Sequence, residues 1–451
     1  MVEEKLIKRV IKTIAFILLL IAMLGMILSV TNYKDLGGGA GWHRFYANKK
    51  NAMDVISFGN SHSHCTVDQS ILWDQYGIAG YSMTAGNQNV DGTYFFIKET
   101  LKYQRPKVIL VECYGMLGDE LDYSEATIYR NTLGMSYSLN QLEAVHYFSK
   151  GGELDFESEM QLLAKLPIVH SRYKELVSED FSLDRPYFKG YIGTDEVYNL
   201  EQNQSVLISE SAELNPDRMI YVDKIVDLCQ EEGISVVFFV APTVEMDDNK
   251  QMRVNYLATY FAERNIPFFD FNKLSSDIGL DYSHDLRDTG HLNDFGAAKV
   301  TQYLGDFLEA AYSFDDHSND EKYSDWNMYS RYMNGRRYGY KLHREEVLHD
   351  YLVDTLAVKD RYKVTVSFRG NYRALGDFFF EDMIKLGLTQ EQLEVGGSYA
   401  IENGAITRVD EVDSMAIVEN GIVVEVYDTL CNVVIDCSGC DVYLGEMMTR
   451  D

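Results

Sequence analysis

The spacing of apolar and polar positions divides the chain into four regimes. The first is an unbroken apolar run over residues 14–30. It is close to the shortest stretch that spans a bilayer. Lys5, Lys8, Arg9 and Lys12 precede it, and Tyr33 and Trp42 follow it. Basic residues ahead of a span hold that end in the cytoplasm. The reading is a single-pass cell-membrane anchor, with the bulk of the chain extracytoplasmic. The rival reading is a cleaved signal peptide, but no small-x-small site follows Val30.

The second regime begins near Asn51, where short apolar blocks alternate with amphipathic ones. Residues 54–58 read as a strand. Phe96, Ile97 and Leu101 mark a helix over 92–103, which Arg105-Pro106 ends. Val108-Ile109-Leu110-Val111 is continuously apolar, as in a strand covered on both faces. From 117 to 214 the pattern loosens, and amphipathic pieces at 141–148 and 159–166 suggest a helical insertion. Asn215 then caps a helix with Pro216 in its first turn, and Met219, Val222, Ile225 and Cys229 follow at helical spacing up to Gly233. Strands are expected at 234–240 and 266–271, with helices at 249–263 and up to 312. This alternation predicts an α/β fold with a mainly parallel, helix-covered sheet.

The third regime, 313–327, is acidic and polar and reads as the start of a linker. Tyr329, Tyr332, Tyr338 and Tyr340 then alternate with Arg331, Arg336, Arg337 and Lys341. Such tyrosines can stack on sugar rings, but packing against neighbours is the commoner use. The last regime suggests strands at 362–368, 398–401, 415–418 and 422–427 and a helix at 378–386. Asn403-Gly404 and Asn420-Gly421 read as hairpin turns. The expected organisation is therefore 1–33 tip and anchor, 34–50 spacer with Gly37-Gly38-Gly39, 51–312 main domain, 313–345 linker, and 346–451 a small accessory α+β domain.

Composition adds exclusions. The 451 residues carry a net charge of −29, so the chain is a poor candidate for binding nucleic acid or anionic lipid by diffuse attraction. The six cysteines form no dense disulfide framework. Cys437 and Cys440 have redox or metal spacing, yet one such pair reads better as buried residues or a local disulfide. No cofactor is expected.

The candidate chemistry lies at two distant places. Gly59-Asn60-Ser61-His62 ends the first strand, and Asp288-Thr289-Gly290-His291 precedes the last helix of the main domain. A serine hydroxyl needs a base, and the base needs an orienting partner. Ser61 is the candidate nucleophile, His291 the base and Asp288 the orienter, with Asp285 an alternative. Taken alone, Ser61 reads better as a turn serine that caps the next helix, and it is Asp288 and His291 that favour the nucleophile. The Ser61 N–H and Gly86 are candidate oxyanion donors. His62 and His64 are two apart and lack an evident third ligand for a metal.

These blocks, with Gly86 and with Leu292-Asn293 before a Gly-Ala-rich helix, resemble the SGNH/GDSL hydrolase superfamily. The likeness covers about residues 51–312. It is greatest to membrane-anchored extracytoplasmic members, such as the D-alanyl transfer protein of teichoic-acid modification and the alginate-type polysaccharide O-acetyltransferases. The resemblance implies a three-layer flavodoxin-like sandwich and a serine acyl-enzyme that moves acyl groups to or from carbohydrate hydroxyls. Two departures stand out. Asn60 replaces the usual aspartate, and Val111-Glu112-Cys113-Tyr114-Gly115 stands where the family has Gly-x-Asn-Asp. Asn87 is then the substitute for the missing oxyanion donor. A single anchor cannot carry acyl groups across a bilayer, so a transferase implies a membrane partner that delivers them, such as a membrane-bound O-acyltransferase. The competing class is a silent scaffold that binds polysaccharide or an envelope-assembly partner.

Overall fold

Five short buried runs build the central sheet: β1 (Val55–Gly59), β2 (Gly80–Thr84), β3 (Val108–Glu112), β4 (Ser235–Val240) and β5 (Phe268–Asp270). In the computed structural model all neighbours pair in parallel, in the order β2-β1-β3-β4-β5. The structure describes residues 2–33, 41–119, 121–181, 188–317, 320–343, 348–358, 364–370, 376–402, 404–409, 417–419, 422–424, 432–437 and 443–444. They fall into two compact units, Met1–Asn327 and Met328–Asp451.

Alternate strand residues face opposite ways, so a sheet buried on both sides needs apolar residues at nearly every position. One face presents Ile56, Phe58, Ile109, Val111, Phe238 and Val240 to the helices Val90–Thr100, Pro216–Glu231 and Asp248–Ala262. On the other face Phe239 meets Phe271, which meets Tyr303 of the helix Asp294–Ala311. Within that layer Ser57 and Ser82 bond each other at 2.8 Å, and Gln69 donates to Ser82.

The sequence anticipated most of these elements because their signals are local. Asn215 does cap its helix, accepting from the Asp217 N–H, and Asn293 caps the last helix of the sheet region. Two expectations differ. Part of the presumed spacer is the helix Trp42–Ala47, whose Trp42 and Phe45 are buried against Phe96 and Tyr81. The presumed linker is also structured. Trp326 is buried and donates to the Gly80 carbonyl, and the helix Ser324–His343 begins there. Large aromatic rings won over local polarity in both places, because burying one is worth roughly 2–3 kcal/mol. Gly37-Gly38-Gly39 lies outside the described residues.

The insertion holds helices Glu125–Thr132, Leu139–Gly151 and Phe156–Ala164. The N-terminal helix Val2–Thr31 includes 25 residues, Ile7–Thr31, that are long and apolar enough to cross a membrane. Its C-terminal carbonyls are not left bare. Arg172, held by Asp180, donates to the Thr31 and Asn32 carbonyls at 3.1 and 2.7 Å.

In the second unit β6 (Val364–Gly370), β7 (Gly397–Glu402) and β8 (Ala405–Val409) pair antiparallel in sequence, and the helix Asp377–Leu386 ends at Gly387. β9 (Ile417–Glu419) and β10 (Ile422–Val424) pair antiparallel with each other. β11 (Asn432–Cys437) joins β6 in parallel, and β12 (Tyr443–Leu444) pairs with β11. Tyr329 and Tyr340 are buried, so these two of the tyrosine series pack rather than face solvent. Asn403, Asn420, Gly421 and Cys440, named above for turns and thiol spacing, lie outside the described residues.

Candidate active site

The chain reverses direction across the sheet between β1 and β3. In open α/β sheets ligands bind outside the carboxyl ends of strands at such a point. Gly59 ends β1 there with φ +134°. A Cβ on it would lie 2.9 Å from the Glu112 Cβ. Only glycine fits both demands, so Gly59→Ala should destabilise the protein by about 2–4 kcal/mol. Denaturant unfolding checks this, and an unchanged midpoint would contradict it.

Asn60 then caps a single turn, Ser61–His64, by accepting from the His62 N–H at 2.9 Å. Ser61 thus begins that turn. It is partly exposed, while the next three residues are buried. First-turn N–H groups have no intrahelical acceptor, so the Ser61 N–H remains available as a donor.

The second half of the site comes from a tight loop. The Arg287 N–H donates to the His291 carbonyl at 3.0 Å, and Leu286 bridges to Leu292. This turn brings Asp288 onto His291. His291 Nδ1 lies 2.9 and 3.0 Å from the two Asp288 oxygens, and His291 Nε2 lies 2.7 Å from Ser61 Oγ. With the proton on Nδ1, the imidazole donates to Asp288 and accepts from the serine hydroxyl. Asp288 Oδ1 also accepts the N–H groups of Gly290 and His291, both at 2.8 Å. Burial works to raise the Asp288 carboxyl. The His291 bond and charge and the two backbone N–H groups outweigh it and hold it below the usual range. Asp285 is engaged elsewhere, accepting from Lys299 at 2.6 Å and paired with His284 at 3.0 Å.

The other candidates resolve differently. Gly86 and Asn87 form the turn after β2, at the same end of the sheet, where the Ala85 N–H bonds the Gly59 carbonyl. Asn87 has φ +54°, and its side chain bonds the Asp122 carboxylate. That bond engages one of the two protons of its amide. His62 stacks on Tyr114, ring centroids 3.9 Å apart, and His64 bonds Thr84 at 3.0 Å. Burial, then the neighbouring His291 charge, pushes His62 well below its usual range and His64 down to about 3. Both rings are therefore neutral beside the Asp288–His291 pair. Among the described residues no cluster of three His, Cys, Asp or Glu side chains is placed to hold a metal. Cys65, Cys113 and Cys229 are free and buried.

Several contributors carried no sequence signal. Thr243 Oγ1 and the Val244 N–H both donate to the Thr289 carbonyl at 3.0 Å, and Glu245 accepts from the Thr289 hydroxyl at 2.7 Å. Tyr114 bonds Glu245 at 3.1 Å, and Lys250 donates to the Tyr114 oxygen at 2.8 Å. These groups brace the Asp288–His291 loop from across the sheet.

Glu112 occupies the strand end where the resemblance expected another motif. Its Oε1 accepts from the Tyr114 N–H at 2.9 Å and the Ala241 N–H at 3.4 Å, while Oε2 is buried with no hydrogen-bond partner. Burial pushes the carboxyl from its usual 4.5 up to about 8, against the pull of the backbone donors. Folding therefore favours the protonated form. Its contribution is full below about 4.5 and is lost as pH rises through about 8. Glu112→Gln, neutral at every pH, should lose less stability than the wild type between pH 5 and 8 in urea titrations. Equal losses would contradict this.

No family model and no curated protein matches the sequence. A solved structure described as a "putative acylhydrolase" from Bacteroides fragilis NCTC 9343 matches with a TM-score of 0.29 and 11% identity. The match covers 62% of this chain and 97% of the other. A likeness that distant adds nothing to the geometry above.

Proposed function

We propose that this chain is a serine-dependent O-acyltransferase or esterase of the SGNH type, built on a flavodoxin-like sandwich and held at the outer face of a membrane. The observation that carries the proposal is the relay from Ser61 through His291 to Asp288, closed at 2.7 and 2.9 Å. A bystander capping serine has no need of an oriented imidazole.

In this reading Ser61 Oγ attacks the acyl carbonyl as its proton passes to His291 Nε2. Asp288 steadies the resulting imidazolium. The Ser61 N–H and the Gly86 N–H face the developing oxyanion. His291 returns the proton to the departing group and an ester remains on Ser61. An acceptor hydroxyl, or water, then gives its proton to His291 and attacks that ester, and Ser61 regains the proton. The acceptor proposed is a hydroxyl of a cell-envelope glycopolymer or exopolysaccharide. A membrane-bound O-acyltransferase is the partner class that would deliver acyl groups to an enzyme with one anchor.

The test is intact mass after incubation of the full chain in detergent with an activated acetyl ester. One acetyl group on the wild type and none on Ser61→Ala is expected. Adding glycan acceptors should discharge it faster than water if the enzyme is a transferase. Equal labelling of both proteins would instead favour the scaffold reading.

A further inference from the structure

A cavity of about 420 Å³ lies where the N-terminal helix meets the globular body. Its walls include Gly25 and Leu28 from the helix, and Met135, Ser136, Tyr137 and Lys165 from the insertion. At ~1.5 Å per residue the 25-residue apolar stretch is about 37 Å long, against a hydrocarbon core of ~30 Å. Gly25 and Leu28 lie within its last ~10 Å, at the end opposite the basic residues. The cavity thus sits at the depth where acyl chains give way to headgroups.

The lining is graded in the same sense. From the helix, Gly25 and Leu28 give an apolar part, and Ser29 and Asn32 line it toward the chain's next segment. Its body side carries Lys165, whose side chain is buried although it is a cation. The ammonium donates to the Met135 carbonyl and lies 4.6 Å from the Tyr137 ring centre. Lys165 also holds φ +59°, an unfavourable backbone state for a residue with a Cβ. Burial lowers its pKa to about 8, against a pull from Glu99. Tyr137 remains 58% exposed beside it, the half-wet setting that tyrosine favours at a membrane surface. Two joints hold the helix end to the body. These are the Arg172 bonds to Thr31 and Asn32 and the 3.2 Å bond from Asn32 to the Leu133 carbonyl. The space is therefore walled on both sides. Its volume falls within the ~300–1,000 Å³ of small-ligand sites.

We infer that this cavity seats the headgroup region of one phospholipid of the outer leaflet, with the phosphate at the Lys165 ammonium and the acyl chains leaving past Gly25 and Leu28 into the bilayer. The inference rests on the helix spanning the membrane but not on the chemistry at Ser61. The test uses the full chain, reconstituted in mixed phosphatidylcholine and phosphatidylglycerol, extracted in mild detergent and weighed by native mass spectrometry. One retained lipid per chain is expected, with phosphatidylglycerol preferred. Gly25→Phe fills the cavity from the helix side, where a Cβ meets nothing within 4 Å, so the fold is undisturbed. It should reduce the retained lipid at least ten-fold. Lys165→Gln should retain lipid without the headgroup preference. Equal retention by wild type and Gly25→Phe would mean annular lipid only and would overturn the inference. So would retention of no lipid, or of another protein's transmembrane segment in its place. Alkaline extraction of the same membranes separates the premises, since release of the chain would remove the anchor, and this site with it, while leaving the Ser61 labelling result untouched.

Discussion

Ser61→Ala is expected to lower kcat on an activated ester by about 10⁴–10⁶. The oxygen that attacks and the bond that stores the acyl group are both lost. The remaining groups can only bind and polarise the ester, which accounts for a small residual rate. The substitution should leave the fold alone. Ser61 is partly exposed, and the turn it begins is capped by Asn60 through the His62 N–H. A stability change within about 0.5 kcal/mol is therefore expected. Initial rates and denaturant unfolding on the same preparations check both halves. Wild-type rates from the alanine variant would remove the acyl-enzyme from the mechanism.

Asp288→Asn should cost about 10³–10⁴ in kcat, and the local hydrogen bonds give the reason. Two backbone N–H groups, of Gly290 and His291, point at Oδ1. An asparagine would keep its carbonyl oxygen there. Its NH₂ would then lie where Oδ2 now sits, 3.0 Å from His291 Nδ1. That donor opposes the Nδ1 proton, even though the oxygen at the Oδ1 position stays 2.9 Å from Nδ1. The carboxylate charge that steadies the imidazolium as Nε2 receives the serine proton is lost as well. Asp285→Asn is the informative contrast. It breaks the buried pair with Lys299 and should destabilise the protein by about 1–3 kcal/mol, but the folded enzyme should keep kcat within ten-fold. If Asp285→Asn proved the more damaging to kcat, the orienting role would pass to that residue.

What could be read in advance follows the range of the interactions. β1, its glycine end, the helix caps at Asn215 and Asn293, and the Asp288-x-x-His291 turn all arise within a few residues of chain. Backbone sterics, capping bonds and apolar runs write them directly into the sequence. The strand β2 has no local signal of its own. Gly-Tyr-Ser-Met-Thr shows neither alternation nor an apolar run, because its polar members bond one another inside the layer.

Other features depend on partners far away. Ser61 and His291 are 230 residues apart, and only the 2-1-3-4-5 strand order brings their turns to one edge. The bracing of Thr289 by Thr243, Val244 and Glu245 and the stacking of Tyr114 on His62 have no local pattern. The rejection of Asp285 needed the position of Lys299, and the bond from the Asn87 side chain needed Asp122. The Trp42–Ala47 helix and Trp326 were hidden by polar or glycine-rich neighbours until the aromatic sites that receive them were placed. The sequence by itself determined the α/β alternation, the apolar N-terminal helix and the residue types able to form a relay, since each is a property of neighbouring positions. The tertiary structure decided which carboxylate faces His291, which groups brace the loop and where a cavity opens beside the N-terminal helix, since those depend on distances that chain connectivity does not fix.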